Sequence, residues 1–214
     1  MKRLIIFMSL LYACSLNAQN KSILKSKDNI FRLRPINPAL PIDTLIHESN
    51  NGVFKITPSG LLTFPSGISY QLKIEKNLIV EQASIYQTKG FTYVFHDETN
   101  LMEGGFWLVK IDNSNMQQIY KEYIVSVSSG PIIKDNYTYI TFSTHAKKID
   151  LETGKNVWYH QDVRNGNVDI KIDLDTIIFD NSVVKFISRK SHSILQNDTI
   201  VIDDKIGKII KTSF

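Results

Sequence analysis

The chain has 214 residues, of which 43% are hydrophobic, with 25 Lys and Arg against 21 Asp and Glu. This length suits one domain, or one and a half at about 150 residues each. A single Cys excludes a disulfide scaffold and a cysteine-rich zinc site, and the basic residues are scattered rather than clustered, which argues against nucleic-acid binding.

The first residues predict an export signal. A basic start, Met1-Lys2-Arg3, precedes the apolar run 4–13. That run fits a signal-peptide core and is too short to span a bilayer core of about 30 Å as a helix. The small Ala18 then provides a cleavage point, so we expect a signal peptide over 1–18 and a periplasmic, outer-membrane-associated or secreted protein. No later segment predicts a transmembrane span.

Cys14 leaves a second form of processing open. The segment Leu11-Tyr12-Ala13-Cys14 resembles a bacterial lipobox, in which the Cys is lipidated and becomes the first mature residue. Under that alternative the protein is a lipoprotein anchored through Cys14. Cleavage after Ala18 and lipidation of Cys14 both remain open.

The rest of the chain predicts an all-β protein. Three prolines with mixed charges indicate an extended leader over 19–41, and a single strand-rich domain follows over 42–214. Short runs rich in β-branched and aromatic residues are separated there by Asn, Asp, Gly and Ser. Examples are residues 53–56, 91–95, 137–142, 176–179 and 183–187.

An internal repeat predicts how these strands are arranged. Ile111, Ile149 and Ile187 follow one another at intervals of 38 residues, each within a similar strand–turn–strand pattern. A fourth, weaker copy precedes them near 44–64. A period of this length is typical of propeller blades, which are small sheets covered only by their neighbours. We expect a β-propeller-like fold of about four antiparallel blades, forming either a closed ring or an incomplete one.

One copy has a specific resemblance. The run Ile149-Asp150-Leu151-Glu152-Thr153-Gly154-Lys155-Asn156-Val157-Trp158 resembles the PQQ-like (quinoprotein-type) β-propeller repeat. The resemblance implies structural roles for Asp150, Thr153, Gly154, Lys155 and Trp158, with Trp158 packed between blades. It does not imply the quinone cofactor, because the chain has neither the adjacent Cys pair nor the cofactor-docking tryptophans of the catalytic relatives. No cofactor is expected.

The residues that could carry chemistry form no recognisable catalytic motif. His96-Asp97-Glu98 could bind a cation at a loop tip, but a solvated hairpin is the stronger interpretation. Acidic residues in the last third lack the order of a calcium loop and are interpreted as charges on strand edges. These are Asp173, Asp175, Asp180, Asp203 and Asp204. We therefore assign no catalytic, cofactor-binding or metal-binding residue.

Two hypotheses for function follow. The first is an exported, non-enzymatic binding or scaffold module of the bacterial cell envelope, which contacts a protein, peptide or glycan. Its candidate contact residues are Phe106, Trp107, Tyr137 and Tyr159. The alternative is a small exported hydrolase or quinone-linked enzyme that uses carboxylates, since two catalytic carboxylates need to be near each other only in space.

Overall fold

A computed structural model describes residues 21–25, 44–49, 51–100, 104–124, 131–142, 145–160, 174–189 and 197–213. Within these ranges the regular secondary structure consists of 17 β-strands. No helix among the described residues is long and apolar enough to cross a membrane. The predicted signal peptide and Cys14 lie outside these ranges.

The strands form four antiparallel sheets. Sheet 1 contains β2 (Leu45–Ser49), β3 (Gly52–Ile56), β4 (Leu61–Thr63) and β5 (Ser69–Gln71). Sheet 2 contains β6 (Ala83–Gln87), β7 (Phe91–Thr99), β8 (Gly104–Asp112) and β9 (Gln117–Tyr123). Sheet 3 contains β10 (Ile132–Lys134), β11 (Tyr137–Phe142), β12 (His145–Asp150) and β13 (Asn156–His160). Sheet 4 contains β14 (Leu174–Asp180), β15 (Val183–Arg189), β16 (Asn197–Asp203) and β17 (Ile209–Ser213), with β1 (Lys21–Lys25) added beside β14.

Each sheet is a meander in which consecutive strands are neighbours. Alternation along the strands sends side chains to opposite faces, so that in β3 Phe54 and Ile56 are buried while Val53 and Lys55 are exposed. Strands at the centre of the protein are buried on both faces, as the pattern of β7 shows. The all-β fold of small antiparallel sheets that the sequence predicts is confirmed.

The sheets pack face to face in chain order. One apolar cluster joins sheets 1 and 2 around Phe54 and Val109, and a second joins sheets 2 and 3 around Phe95 and Ile149. A third joins sheets 3 and 4 around Trp158. Among the described residues, no core cluster joins sheet 4 to sheet 1. Most described sheet faces are therefore covered by a neighbouring sheet, as in a stack of blades.

The leader contributes one strand. Within the predicted extended leader, β1 pairs with β14 in antiparallel register, with Ile23 opposite Ile178. The first described strand of the chain thus completes the last sheet.

The predicted register of the repeat is wrong in its last copy. Ile111 and Ile149 lie on β8 and β12, the third strands of their sheets, but Ile187 lies on β15, the second strand of sheet 4. The equivalent residue is Ile202 on β16, which is fully buried. The interval that suggested Ile187 is a coincidence, because 53 residues separate Asp203 from Asp150, compared with 38 between Asp150 and Asp112.

Candidate functional site

The turn of the predicted repeat motif lies between β12 and β13. Asp150 Oδ1 accepts a hydrogen bond from the Glu152 amide at 2.6 Å and another from the Thr153 amide at 3.3 Å. The Gly154 amide donates to Asp150 O at 2.8 Å, and the Thr153 hydroxyl accepts from the Lys155 amide at 3.3 Å. Asp150 therefore closes the turn locally, and Thr153 and Lys155 stand exposed on its outer side.

Sheets 2, 3 and 4 share this hairpin. Asp112 Oδ1 accepts from the Ser114 amide at 2.8 Å, and Asp203 Oδ1 accepts from the Lys205 amide at 3.0 Å. In all three hairpins the residue four positions after the Asp has positive φ and donates its amide to the Asp carbonyl: Met116, Gly154 and Gly207. Each is followed by a β-bulge between the third and fourth strands. The three hairpins are thus one structural unit repeated.

Two of these turns dock on the preceding sheet. The Tyr120 hydroxyl of sheet 2 donates to Leu151 O in the turn of sheet 3 at 2.8 Å. The Trp158 indole of sheet 3 donates to Asp204 O in the turn of sheet 4 at 3.1 Å. Tyr120 and Trp158 occupy equivalent positions, eight residues after Asp112 and Asp150. An aromatic side chain of one sheet therefore binds the backbone of the next turn at the same point in both interfaces.

Gly154 and Gly207 allow this close approach. A Cβ on Gly207 would lie 2.3 Å from Trp158 Cβ, and a Cβ on Gly154 would lie 3.0 Å from the Tyr120 ring. Both glycines also have φ of +74°, which L side chains rarely adopt. The turn conformation thus favours glycine, although Met116 adopts it in sheet 2, and the close packing between sheets is the second reason for glycine at 154 and 207.

A buried lysine strengthens each docked turn. Lys110 donates to the Glu152 carboxylate at 2.7 Å and to Glu152 O at 3.2 Å. At the equivalent position of sheet 3, Lys148 lies 3.1 Å from Asp204 Oδ1 and donates to Asp204 O at 3.0 Å.

Both ammonium groups also lie over aromatic rings of the second strand. Lys110 Nζ is 4.1 Å from the centroid of Phe91, and Lys148 Nζ is 4.1 Å from that of Tyr137. The charge of each lysine is therefore stabilised by an aromatic ring of its own sheet and by the acidic turn of the next sheet.

Asp204 makes a further contact in the interface between sheets 3 and 4. Its carboxylate accepts the Tyr139 hydroxyl at 2.9 Å, and burial together with this carboxylate raises the pKa of Tyr139. The prediction that Asp203 and Asp204 are strand-edge charges is wrong, because Asp203 forms the turn and Asp204 binds the preceding sheet. Asp180 is not at an edge either, since β14 pairs on both sides and Lys185 lies 2.7 Å from its carboxylate. Asp175 lies on β14 too, and Asp173 lies outside the described residues.

The interface between sheets 1 and 2 lacks this charged contact. The position of Lys110 is occupied in sheet 1 by Leu62, and the turn of sheet 2 offers Asn113 and Ser114 where the later turns carry Glu152 and Asp204. Leu62 and Phe64 are buried there in an apolar cluster. In this apolar interface, the lysine of the preceding sheet and the acidic residue of the turn are therefore both replaced.

His96, Asp97 and Glu98 are not at a loop tip. They belong to β7, and all three are buried, so the prediction of a solvated hairpin is wrong. The carboxylates of Asp97 and Glu98 bind the segment 72–82, which links sheet 1 to sheet 2, while His96 Nδ1 forms a hydrogen bond with Asp97 O at 3.0 Å. Asp97 Oδ1 accepts the amides of Glu81 and Gln82 at 2.8 and 2.7 Å, and Glu98 Oε2 accepts the Glu75 amide at 2.9 Å.

Lys121 completes this buried cluster. Its ammonium group pairs with Glu98, donates to Lys73 O at 2.6 Å and lies 4.4 Å from the ring centroid of Trp107. His96 Nε2 has no hydrogen-bond partner among the residues that the structure describes, and it lies 3.9 Å from Glu98 Oε1. Burial lowers the pKa of His96 to about 4 and raises that of Asp97 to about 6. The cluster holds the linking segment against sheet 2.

Nothing in the described ranges of the chain brings together three or more His, Cys, Asp or Glu side chains able to hold a metal ion. Burial lowers the pKa of Lys147 to about 8, and its ammonium lies 5.4 Å from the ring centroid of Tyr159. The structure thus uses its buried ionisable groups chiefly in contacts between elements.

The predicted contact aromatics divide into buried and exposed. Phe106 is 4% exposed and belongs to the core between sheets 2 and 3, so it is not available for contact. Tyr137 packs partly buried against the core between sheets 3 and 4, and Trp107 packs edge to face against Tyr123 with the ring centroids 5.3 Å apart. Tyr159 is 40% exposed.

A set of exposed apolar residues was not predicted. Ile119, Val157 and Ile210 each stand seven residues after the Asp of their hairpin, in the β-bulge of the outermost strand. They are 52%, 40% and 56% exposed, respectively. The signal for them is in the sequence, but it depends on aligning Asp112, Asp150 and Asp203.

Comparison of the chain with known protein families finds no match, and comparison with curated proteins finds none either. The site is therefore interpreted from its own geometry.

Proposed function

We propose that the protein is an exported, non-enzymatic binding or scaffold module of the bacterial cell envelope, whose blades are related to PQQ-like repeats. The observation that carries the binding role is the recurrence of an exposed apolar residue at one bulge position in three sheets. A β-bulge redirects a side chain, and bulges in proteins often lie beside functional sites.

The outermost strands supply the second part of the binding surface. Within the described chain β9, β13 and β17 each pair with only one neighbouring strand, so one row of backbone donors and acceptors faces outward. Such edges bind extended segments by adding a strand, with side chains beside the edge selecting the sequence. A protein or peptide partner with alternating apolar residues fits Ile119, Val157 and Ile210 better than a glycan does.

Site-specific photo-crosslinking tests this role. A photoreactive amino acid replaces Ile119 or Val157 in the full chain, expressed in the native bacterium, and the matched control carries it at Lys155, which is exposed on the turn. The proposal predicts one shared protein adduct at both strand positions and none at the turn. Identical adducts at all three positions, or no adduct at any, would contradict a binding role of the outer strands.

The proposed export of the protein is tested by a separate experiment. The proposal rests on the basic and apolar N-terminal residues 1–18, and it predicts that the protein isolated from envelope fractions begins at Gln19 or at a lipidated Cys14. Intact mass spectrometry of the purified protein distinguishes the two. Recovery of the full-length chain from the cytoplasm would contradict export, but it would not contradict the proposed binding role.

A further inference from the structure

Positions that are buried inside the stack of sheets are exposed at their equivalents on sheet 1. On the face that each sheet turns toward its predecessor, Val109 of sheet 2, Lys147 of sheet 3 and Ile200 of sheet 4 are between 1% and 5% exposed. The equivalent Leu61 of sheet 1 is 38% exposed, and Val53 and Ile46 on the same face are 44% and 50% exposed. Lys55 pairs with Ile46 and is exposed on this face too, so sheet 1 has a largely apolar face with one lysine, and no described sheet covers it.

Sheet 4 has a partly exposed face at the other end. The register places Ile178, Lys185 and Val201 side by side on the face opposite the core with sheet 3. Val201 holds the position that Lys110 and Lys148 hold in sheets 2 and 3, where the lysine binds the acidic turn of the following sheet. This face therefore carries no lysine at the position used to dock an acidic turn.

The turn of sheet 1 lacks the acid that such a lysine would need. It runs through Phe64-Pro65-Ser66-Gly67-Ile68, with Ile68 53% exposed. Gly67 has φ of +84°, as a docking turn requires, yet a Cβ placed on it would have no atom of the described chain within 4 Å. Gly154 and Gly207, by contrast, are in tight contact with the preceding sheet.

The chemistry of these two faces matches a contact already present in the molecule. Between sheets 1 and 2 an apolar residue, Leu62, replaces the lysine, the opposing turn has no carboxylate, and the two sheets pack through an apolar core. Val201 and the turn of sheet 1 likewise lack the lysine and the acid at the turn-docking position, and the lysine beside Val201, Lys185, is already paired with Asp180 of its own sheet. The last sheet is therefore suited to receive a first sheet.

We propose that the occupant is a second copy of this chain, so that sheet 4 of each copy packs against sheet 1 of the other. Two copies supply eight sheets, which lies within the range of about 4–8 blades that close propellers. Two identical head-to-tail contacts related by a two-fold axis close a ring and leave neither face uncovered.

Charge substitutions on the two faces test the proposal. Leu61→Glu alters only the sheet 1 face and Val201→Glu only the sheet 4 face, while Ile206→Glu, at a 66% exposed residue of the β16–β17 turn, is the matched control. The full mature chain is measured by sedimentation over a wide range of concentration. We expect a mass of two chains for the unaltered protein and the control, and one chain for each face variant.

Mixing the two face variants gives the decisive result. Each mixed pair retains one intact contact, between sheet 4 of the Leu61→Glu chain and sheet 1 of the Val201→Glu chain, so the mixture regains a dimer that is weaker than the unaltered one. A dimer that survives either substitution, a mixture that stays monomeric, or assemblies larger than two chains would overturn the proposal.

An unaltered protein that is monomeric at every concentration would also overturn it, and would indicate closure of sheet 4 on sheet 1 within one chain. Should Leu61→Glu or Val201→Glu fail to fold by circular dichroism, Val53→Glu and Val183→Glu replace them on the same faces.

Discussion

The interface between sheets 1 and 2 is apolar in its centre, whereas the interface between sheets 3 and 4 has polar and charged groups there. The first buries apolar residues such as Phe54 and Leu62 in its centre and keeps its charges at one end, around Glu98 and Lys121. The second places a lysine, an indole and a carboxylate in the centre of the contact, through Lys148, Trp158 and Asp204.

The difference shows what the repeat hairpin contributes. Apolar packing alone joins two sheets, since it is non-directional and follows the buried area. A turn that binds an aromatic donor and a lysine at defined atoms additionally selects one relative position of the sheets, because hydrogen bonds and charge pairs are directional. We infer that the charged interfaces define the geometry of the stack.

The largest expected effect comes from removing the indole. Trp158→Ala removes a ring that packs between sheets 3 and 4 and a hydrogen bond to Asp204 O, so the free energy of unfolding should fall by about 3–5 kcal/mol. Tyr159→Ala, at the neighbouring exposed position, is the control and should cost much less. Chemical denaturation measures both, and equal losses would place Trp158 outside the contact.

Asp97 and His96, which are buried near the first interface, should change the free energy of unfolding in opposite directions between about pH 4 and pH 6. Burial raises the pKa of Asp97 from 3.8 to about 6, so Asp97 makes the protein less stable as pH rises through this range. Burial lowers the pKa of His96 from 6.5 to about 4, so His96 makes the protein more stable as pH rises. In the unaltered protein the two effects largely cancel.

Single substitutions should separate these two effects. Relative to the unaltered protein, Asp97→Asn should gain stability as pH rises from about 4 to about 6, and His96→Gln should lose it. Each difference should be on the order of 2–3 kcal/mol, at about 1.4 kcal/mol per pKa unit. Urea unfolding at several pH values measures the differences, and parallel curves for all three proteins would show that neither group has a shifted pKa.

A smaller effect should distinguish the two lysines. Lys148→Met leaves Asp204, 24% exposed, without its ammonium partner, whereas Lys110→Met leaves Glu152, which is 62% exposed and can be hydrated. We expect Lys148→Met to cost about 1–3 kcal/mol and Lys110→Met to cost less. Thermal or chemical unfolding gives the order, and the reverse order would contradict the importance of Asp204.

Much of the fold could be predicted from local patterns. The alternation in 53–56 identified β3 because that strand has one buried face and one exposed face. The run 137–142 identified β11 by its β-branched and aromatic residues, and both faces of that strand are buried around Tyr139 and Ile140. The turn at Asp150 was recognisable because its hydrogen bonds are formed within six consecutive residues. Such features depend on the segment itself.

The parts that were mispredicted depend on distant segments. His96-Asp97-Glu98 consists of three polar residues in a row, and the partners that stabilise their burial come from the distant linker 72–82 and from Lys121 of β9. Ile187 was aligned by spacing, whereas the shared residues Ile202-Asp203 and Gly207-Lys208 carry the true equivalence to Ile149-Asp150 and Gly154-Lys155. A longer interval before sheet 4 concealed it.

The central claim is that a repeated turn docks on the preceding sheet, and comparing two glycines tests it most directly. Gly207 and Gly67 both have positive φ, but only Gly207 contacts another sheet, through Trp158. Substituting Ala at Gly67 should cost only the backbone strain of about 1–2 kcal/mol. Substituting Ala at Gly207 should cost that strain plus about 1–3 kcal/mol for displacing Trp158. Equal losses of unfolding free energy for the two variants would contradict the docking of the turn.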